Sequence, residues 1–295
     1  MKYQINNEFL TVEIEDLGAQ LASIKDNEGT EYLWQGDERY WKDRALNIFP
    51  YVARLTDGKY TFNGKTYEMS IHGFSRETVF AVEHKSEDYI VFSMEDTEET
   101  RKQFPFSFRF EISYKLEGNK LLNMYSVINK GDEKMYFGVG GHPGFNVPLE
   151  DGLAFEDYYL EFDSEAKARR VLFSDDCFVT GIDDGYEMKD GKVIGLHHGL
   201  FDDDAIVLTN MAKGVTLKSD KGGKGVHVTC EHMPYLGFWH KPKTDAPYVC
   251  IEPWSSLPSR KGIVEDFATQ PSLISLEAKG TYHNRFVIEI VRCLE

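Results

Sequence analysis

The feature that most constrains the fold is a thirteen-residue alternation. Phe104, Phe106, Phe108, Phe110, Ile112, Tyr114 and Leu116 are separated by Pro105, Ser107, Arg109, Glu111, Ser113 and Lys115. Side chains of a β-strand point alternately to opposite faces, so this period of two predicts a long strand with one apolar face. Its proline falls at the start, where an edge tolerates a missing N–H. Glu117-Gly118-Asn119-Lys120 then reads as a hairpin turn. In the return strand Leu122, Met124, Ser126 and Ile128 hold one register and Leu121, Tyr125 and Val127 the other, so burial on both faces is expected.

The same grammar recurs along the chain. Tyr60-Thr61-Phe62, Asn63-Gly64 and Lys65-Thr66-Tyr67 form a short hairpin around a favoured turn dipeptide. Further strands are expected at 205–208, 215–217, 226–230, 236–239 and 286–291. Helical pattern is confined to Asp37–Asp43 and Asp96–Arg101, each with room for a turn or two. The 20 Phe and 16 Tyr suit pleated surfaces. With no Ser/Pro/Gly-rich linker and no repeat, the 295 residues read as one all-β domain, 1–295, built as a large antiparallel sandwich.

The net charge of −16 argues against nucleic-acid and anionic-membrane partners. Four cysteines without a Cys-x-x-Cys pair give no disulfide framework. The N-terminal residues carry no signal-peptide pattern and no stretch is long enough to span a bilayer, so a cytoplasmic location is the expectation. Asp202-Asp203-Asp204 is expected to be a solvated turn with one acid available to a site, because three adjacent acids cannot all face one ion. His197-His198 lacks a matching cluster for zinc. No metal and no cofactor are expected.

Four segments carry residues suited to chemistry. Gly138-Val139-Gly140-Gly141-His142-Pro143-Gly144-Phe145-Asn146 places an imidazole among glycines, where the chain is expected to leave a strand and turn sharply. Ser70-Ile71-His72-Gly73-Phe74-Ser75-Arg76 sets a second histidine beside a glycine, with Arg76 following. Taken singly, each histidine reads equally well as a structural side chain at a bend. Arg54 ends the apolar run from Asn47, placed either to grip a hydroxyl or phosphate in a cleft or to snorkel from a strand end. In Tyr248-Val249-Cys250-Ile251-Glu252-Pro253-Trp254 a carboxylate ends an apolar run. Partial burial would raise its pKa and suit it to proton transfer, while Trp254 or Trp239 can stack on the apolar face of a sugar. A core tryptophan beside a surface glutamate is the plainer alternative.

Together these segments resemble the aldose 1-epimerase (galactose mutarotase) superfamily, in order along nearly the whole chain. Gly141-His142-Pro143-Gly144-Phe145-Asn146 is similar to the family's Gly-His-Pro-x-Phe-Asn motif. His72-Gly73-Phe74-Ser75-Arg76 is similar to its earlier His-Gly motif, and Arg54 and Asp204 fall where the family places sugar-binding residues. The length and the Cys-Ile-Glu-Pro-Trp segment look most like a LacX-like branch. The resemblance implies an antiparallel β-sandwich and cofactor-free interconversion of the α and β anomers of a small sugar. His142 would be the acid, with His72, Arg54 and Asp204 holding hydroxyls. One departure bears on the base. The galactose branch carries it in a Pro-Gly-Glu-type turn, but here that stretch is Leu276-Glu277-Ala278-Lys279-Gly280-Thr281. The hexose-phosphate branch has it in a Cys-x-Glu-Pro context, which Cys250-Ile251-Glu252-Pro253 matches. Glu252 is therefore the expected base and Glu277 the alternative. A free hexose is the leading substrate. A hexose 6-phosphate held by Arg54 and Arg76, and a non-catalytic sugar-binding role, are the competing readings. The expected assembly is a monomer or homodimer.

Overall fold

A computed structural model describes residues 1–293. It is built from antiparallel sheets. Nine strands form one sheet, in the spatial order 193–195, 158–162, 214–219, 224–229, 281–292, 120–129, 108–117, 89–95 and 81–85. Seven form a second, in the order 179–185, 169–173, 206–209, 235–239, 248–254, 140–146 and 45–48. A three-stranded sheet of Lys2–Asn6, Leu10–Glu15 and Leu21–Asp26 packs beside them. Among the described residues no helix is long and apolar enough to cross a membrane.

The alternating segment is a strand over Phe108–Glu117, with Phe108, Phe110, Ile112, Tyr114 and Leu116 buried. Phe104 and Phe106 precede the strand yet are buried too. Its partner spans Lys120–Asn129 and is buried on both faces only at Leu121–Asn123. Beyond that point Met124, Ser126 and Ile128, on the outer face of the nine-stranded sheet, are only partly buried. Asn63 and Gly64 both take positive φ, as the favoured two-residue hairpin requires. The one α-helix among the described residues, Glu98–Gln103, is capped by Thr97, whose hydroxyl accepts from the Thr100 amide. Asp37–Asp43 is not helical: Asp37 and Trp41 bridge across a turn.

The two large sheets meet face to face. Phe49 stacks on Phe110 at 4.4 Å, and Phe162 meets Phe238 edge-on at 6.0 Å. One apolar cluster includes residues from Ile5 to Ile290. The strand Gly140–Asn146 corrects the expectation for the glycine-rich segment. His142 does not sit at a sharp turn but in the middle of this strand, between Ala45–Ile48 and Tyr248–Trp254. Its glycines permit close approach instead. A Cβ on Gly141 would lie 2.6 Å from the Phe286 ring, and one on Gly140 would lie 2.8 Å from the Pro253 carbonyl oxygen.

Behind this strand lies a buried polar hub. Asn47 Nδ2 lies within hydrogen-bond distance of the Gly18 and Ala19 carbonyls and the Tyr114 hydroxyl. Its Oδ1 accepts from Tyr125 Oη at 2.8 Å, and that hydroxyl also lies 3.1 Å from the Gly140 carbonyl. The hub thus joins all three of these sheets. Orphaned buried groups each cost roughly 1–3 kcal/mol, so Asn47→Ala is expected to lower stability by on the order of 3 kcal/mol in urea unfolding. Gly141→Ala is expected to cost about 1–3 kcal/mol through overpacking against Phe286.

Candidate active site

Alternation along Tyr248–Trp254 puts Cys250, Glu252 and Trp254 on one face of the seven-stranded sheet. The register pairs Gly140 with Trp254 and Gly144 with Cys250, which sets His142 directly across from Glu252. Leu46 flanks His142 on one side, and Gly237 flanks Glu252 on the other. The result is a row across four strands, on the face turned away from the nine-stranded sheet.

His142 Nε2 lies 3.1 Å from Glu252 Oε2, with both side chains more than nine-tenths buried. The approach is close but poorly aligned as a hydrogen bond, and it leaves Glu252 Oε2 and His142 Nδ1 without partners. Burial pushes the Glu252 carboxyl well above its usual range, and the charge of Asp204 adds to the rise. Burial lowers His142, with a further contribution from Arg76. Burial thus favours the uncharged form of each group, a protonated carboxyl and a neutral imidazole.

A cavity of about 250 Å³ opens over the pair. It is lined by every site residue expected from the sequence: Arg54, His72, Arg76, His142, Asp204, Trp239, Glu252 and Trp254. Glu277 is elsewhere, largely exposed and paired with Lys134 at 2.7 Å. Trp41, also in the wall, lies over the His142 imidazole at a 32° tilt with ring centroids 4.7 Å apart, and Trp239 meets the same ring edge-on at 5.7 Å. Nothing in the polar stretch around Trp41 marked it in advance, since its partner ring is 101 positions away by direct count. Phe173 and Cys177 are further wall residues that sequence reasoning missed.

His72 is held in one tautomer. The Ala53 amide donates to its Nδ1 at 3.2 Å, so in the neutral ring the proton sits on Nε2. Burial keeps the ring neutral by lowering its pKa well below the ordinary value. The loop that carries it demands glycine at 73: φ there is +72°, and a Cβ would lie 2.3 Å from the Phe49 carbonyl oxygen.

The charged wall is unevenly committed. Arg76 pairs with Asp43 at 3.1 Å. Arg54 makes no ion pair among the described residues, and its guanidinium donates to the Asp176 carbonyl at 3.3 Å. Asp204 leaves the acidic run to reach the cavity, while Asp202 accepts from the Lys243 amide. The Asp204 carboxylate accepts from Cys177 Sγ at 2.8 Å and from the Ala205 amide at 2.8 Å. Desolvation and this carboxylate push the Cys177 thiol up to about 12. Among the described residues one trio has metal-ligand character: His142, Cys250 and Glu252, with ligand atoms all within 4.8 Å of one another. His198 instead contacts His240, at 3.4 Å.

Comparison with known proteins agrees with this architecture. The family model for aldose 1-epimerase matches residues 1–266. Protein LacX, chromosomal, of Lactococcus lactis subsp. lactis is 34% identical over 266 residues, covering 87% of this chain and 88% of that protein. The crystal structure of a galactose mutarotase related enzyme from Lactobacillus acidophilus superposes with a TM-score of 0.93 at 34% identity over 100% of both chains. A galactose mutarotase-like protein from Lactobacillus casei ATCC 334 gives 0.92 at 29% identity, covering 98% of this chain and 100% of its own. With the motifs in order, the sandwich in place and these matches along most of its length, the chain belongs to the aldose 1-epimerase family, in its LacX-like branch.

Proposed function

We propose that this protein interconverts the α and β anomers of a free aldohexose, with His142 and Glu252 as the acid–base pair. The observation that carries this reading is the 3.1 Å approach of Nε2 to Oε2 at the base of a tryptophan-walled cavity. Opening a cyclic hemiacetal requires a proton to leave the anomeric hydroxyl and another to reach the ring oxygen. Both oxygens are bonded to the same carbon, so the acid and the base must lie side by side, as these two groups do.

The anomeric hydroxyl donates to the Glu252 carboxyl, and hydrogen bonds to a carboxylate favour its charged form. The proton of Glu252 passes to His142 Nε2. Glu252 then takes the anomeric proton while His142 protonates the ring oxygen. The C1–O5 bond breaks, the aldehyde turns about C1–C2, and closure on its other face returns both protons. The apolar face of the sugar packs on Trp239 and Trp254, and the His72 Nε2–H, Arg54, Arg76 and Asp204 hold hydroxyls. The step needs no cofactor.

A hexose 6-phosphate is the second reading, favoured by Arg54, the wall arginine without an acidic partner among the described residues. Arg76 is already paired with Asp43, so the phosphate would have one free guanidinium rather than two.

Polarimetry of freshly dissolved α-glucose, α-galactose and glucose 6-phosphate tests the proposal. Faster decay of rotation with a free hexose is expected, and inorganic phosphate should not inhibit. A faster rate on the 6-phosphate with phosphate inhibition would select the second reading. Saturable sugar binding without acceleration would leave a binding protein. Glu252→Gln and His142→Ala are each expected to lose about 10²–10⁴-fold in kcat while remaining folded.

The buried carboxyl also ties stability to pH. Folding raises the Glu252 pKa above its ordinary 4.5, so its contribution is full below that value and is lost as pH rises through the folded-state value. His142, lowered by folding, acts in the opposite sense in both chains compared. The melting temperature of the wild type relative to Glu252→Gln is therefore expected to fall as pH rises above the ordinary carboxyl value of 4.5.

A further inference from the structure

Cys250 has no part in the acid–base scheme, yet it lies on the same sheet face two residues from Glu252 and is fully buried beside the reacting pair. Its Sγ, His142 Nε2 or Nδ1, and a Glu252 oxygen all fall within 4.8 Å of one another. Glu252 Oε2 is also a buried polar atom without a hydrogen bond. We propose that His142, Cys250 and Glu252 form a three-ligand site for a borderline-soft divalent cation such as Zn²⁺, whose binding shuts the acid–base pair down.

The donor set is the one zinc favours: an imidazole nitrogen, a thiolate and a carboxylate oxygen. Bonds of about 2.0–2.3 Å in a tetrahedron bring ligand atoms to roughly 3.5 Å apart. His142 and Glu252 already stand at 3.1 Å, and no two of the three ligand atoms are more than 4.8 Å apart. The charge balances. A bound thiolate and a bound carboxylate together carry two negative charges, so one M²⁺ held by them and a neutral imidazole leaves the buried cluster without net charge. His142 and Glu252 line the cavity and Cys250 does not, so the remaining coordination position faces the sugar's space.

Binding itself does not depend on the proposed reaction; its inhibitory consequence does. Two measurements keep these separate. In the first, Co²⁺ is added to the wild-type protein and the near-ultraviolet thiolate-to-cobalt absorption is followed. A saturable band that a chelator removes, that Cys177→Ala retains and that Cys250→Ala or the near-isosteric Cys250→Ser abolishes is the expected result. Absence of the band, or its persistence in both Cys250 variants, overturns the site whether or not the protein turns sugar over. In the second, Zn²⁺ is titrated during mutarotation. Chelator-reversible inhibition, relieved by raised sugar concentration and weakened at least about tenfold in Cys250→Ser, is expected. Equal inhibition of wild type and Cys250→Ser overturns the inhibitory role.

Discussion

The close approach of the two large sheets at Gly141 is the constraint on which the rest of the site depends. The strand that carries His142 can lie this near Phe286 only because it has no side chain at 141. The Asn47 amide then ties that strand's neighbour to the Tyr114 and Tyr125 hydroxyls of the opposite sheet and to the Gly18 and Ala19 carbonyls of the small one. Every polar atom in this hub is sealed from water, so each must find a partner inside. The same requirement keeps the hub from sliding: a shift of one residue in the strand would turn His142 toward the core and Gly141 toward the cavity.

From that anchoring follows the chemistry of the opposite face. Glu252 and His142 are opposed by register, roofed by Trp41 and Trp239, and largely removed from water. Burial acts on them in opposite senses, up for the carboxyl and down for the imidazole, and so favours the uncharged form of both. A pair in this state costs less to bury than two ions. The poor alignment of the contact and the orphaned Oε2 mark a site organised for groups that arrive from the cavity rather than for its own internal satisfaction.

Much of the fold was legible because strand patterning is local. The alternation from Phe104 to Leu116, the Asn63-Gly64 turn and the scarcity of helical period each express their geometry within a few residues. Where the reading went astray, the missing information was non-local. Glycines around His142 look like a bend because glycine permits one, but here they leave room for Phe286 and Pro253, side chain and carbonyl that no neighbouring residue announces. The strand after the first hairpin looks buried on both sides, yet coverage of its outer face ends after Asn123.

The sequence by itself determined an all-β sandwich, the membership in the aldose 1-epimerase family, and eight of the residues that line the cavity, Arg54, His72, Arg76, His142, Asp204, Trp239, Glu252 and Trp254. Local pattern and motif order suffice for these, because they depend on residue type and spacing. Only the tertiary structure decided that Glu252 rather than Glu277 stands against His142, that Trp41 covers the imidazole, and that Cys250 lies within ligand reach of both. Those facts depend on strand register and on which face of a sheet meets water. Both are settled by packing between segments more than a hundred residues apart along the chain, which no local pattern of residues records.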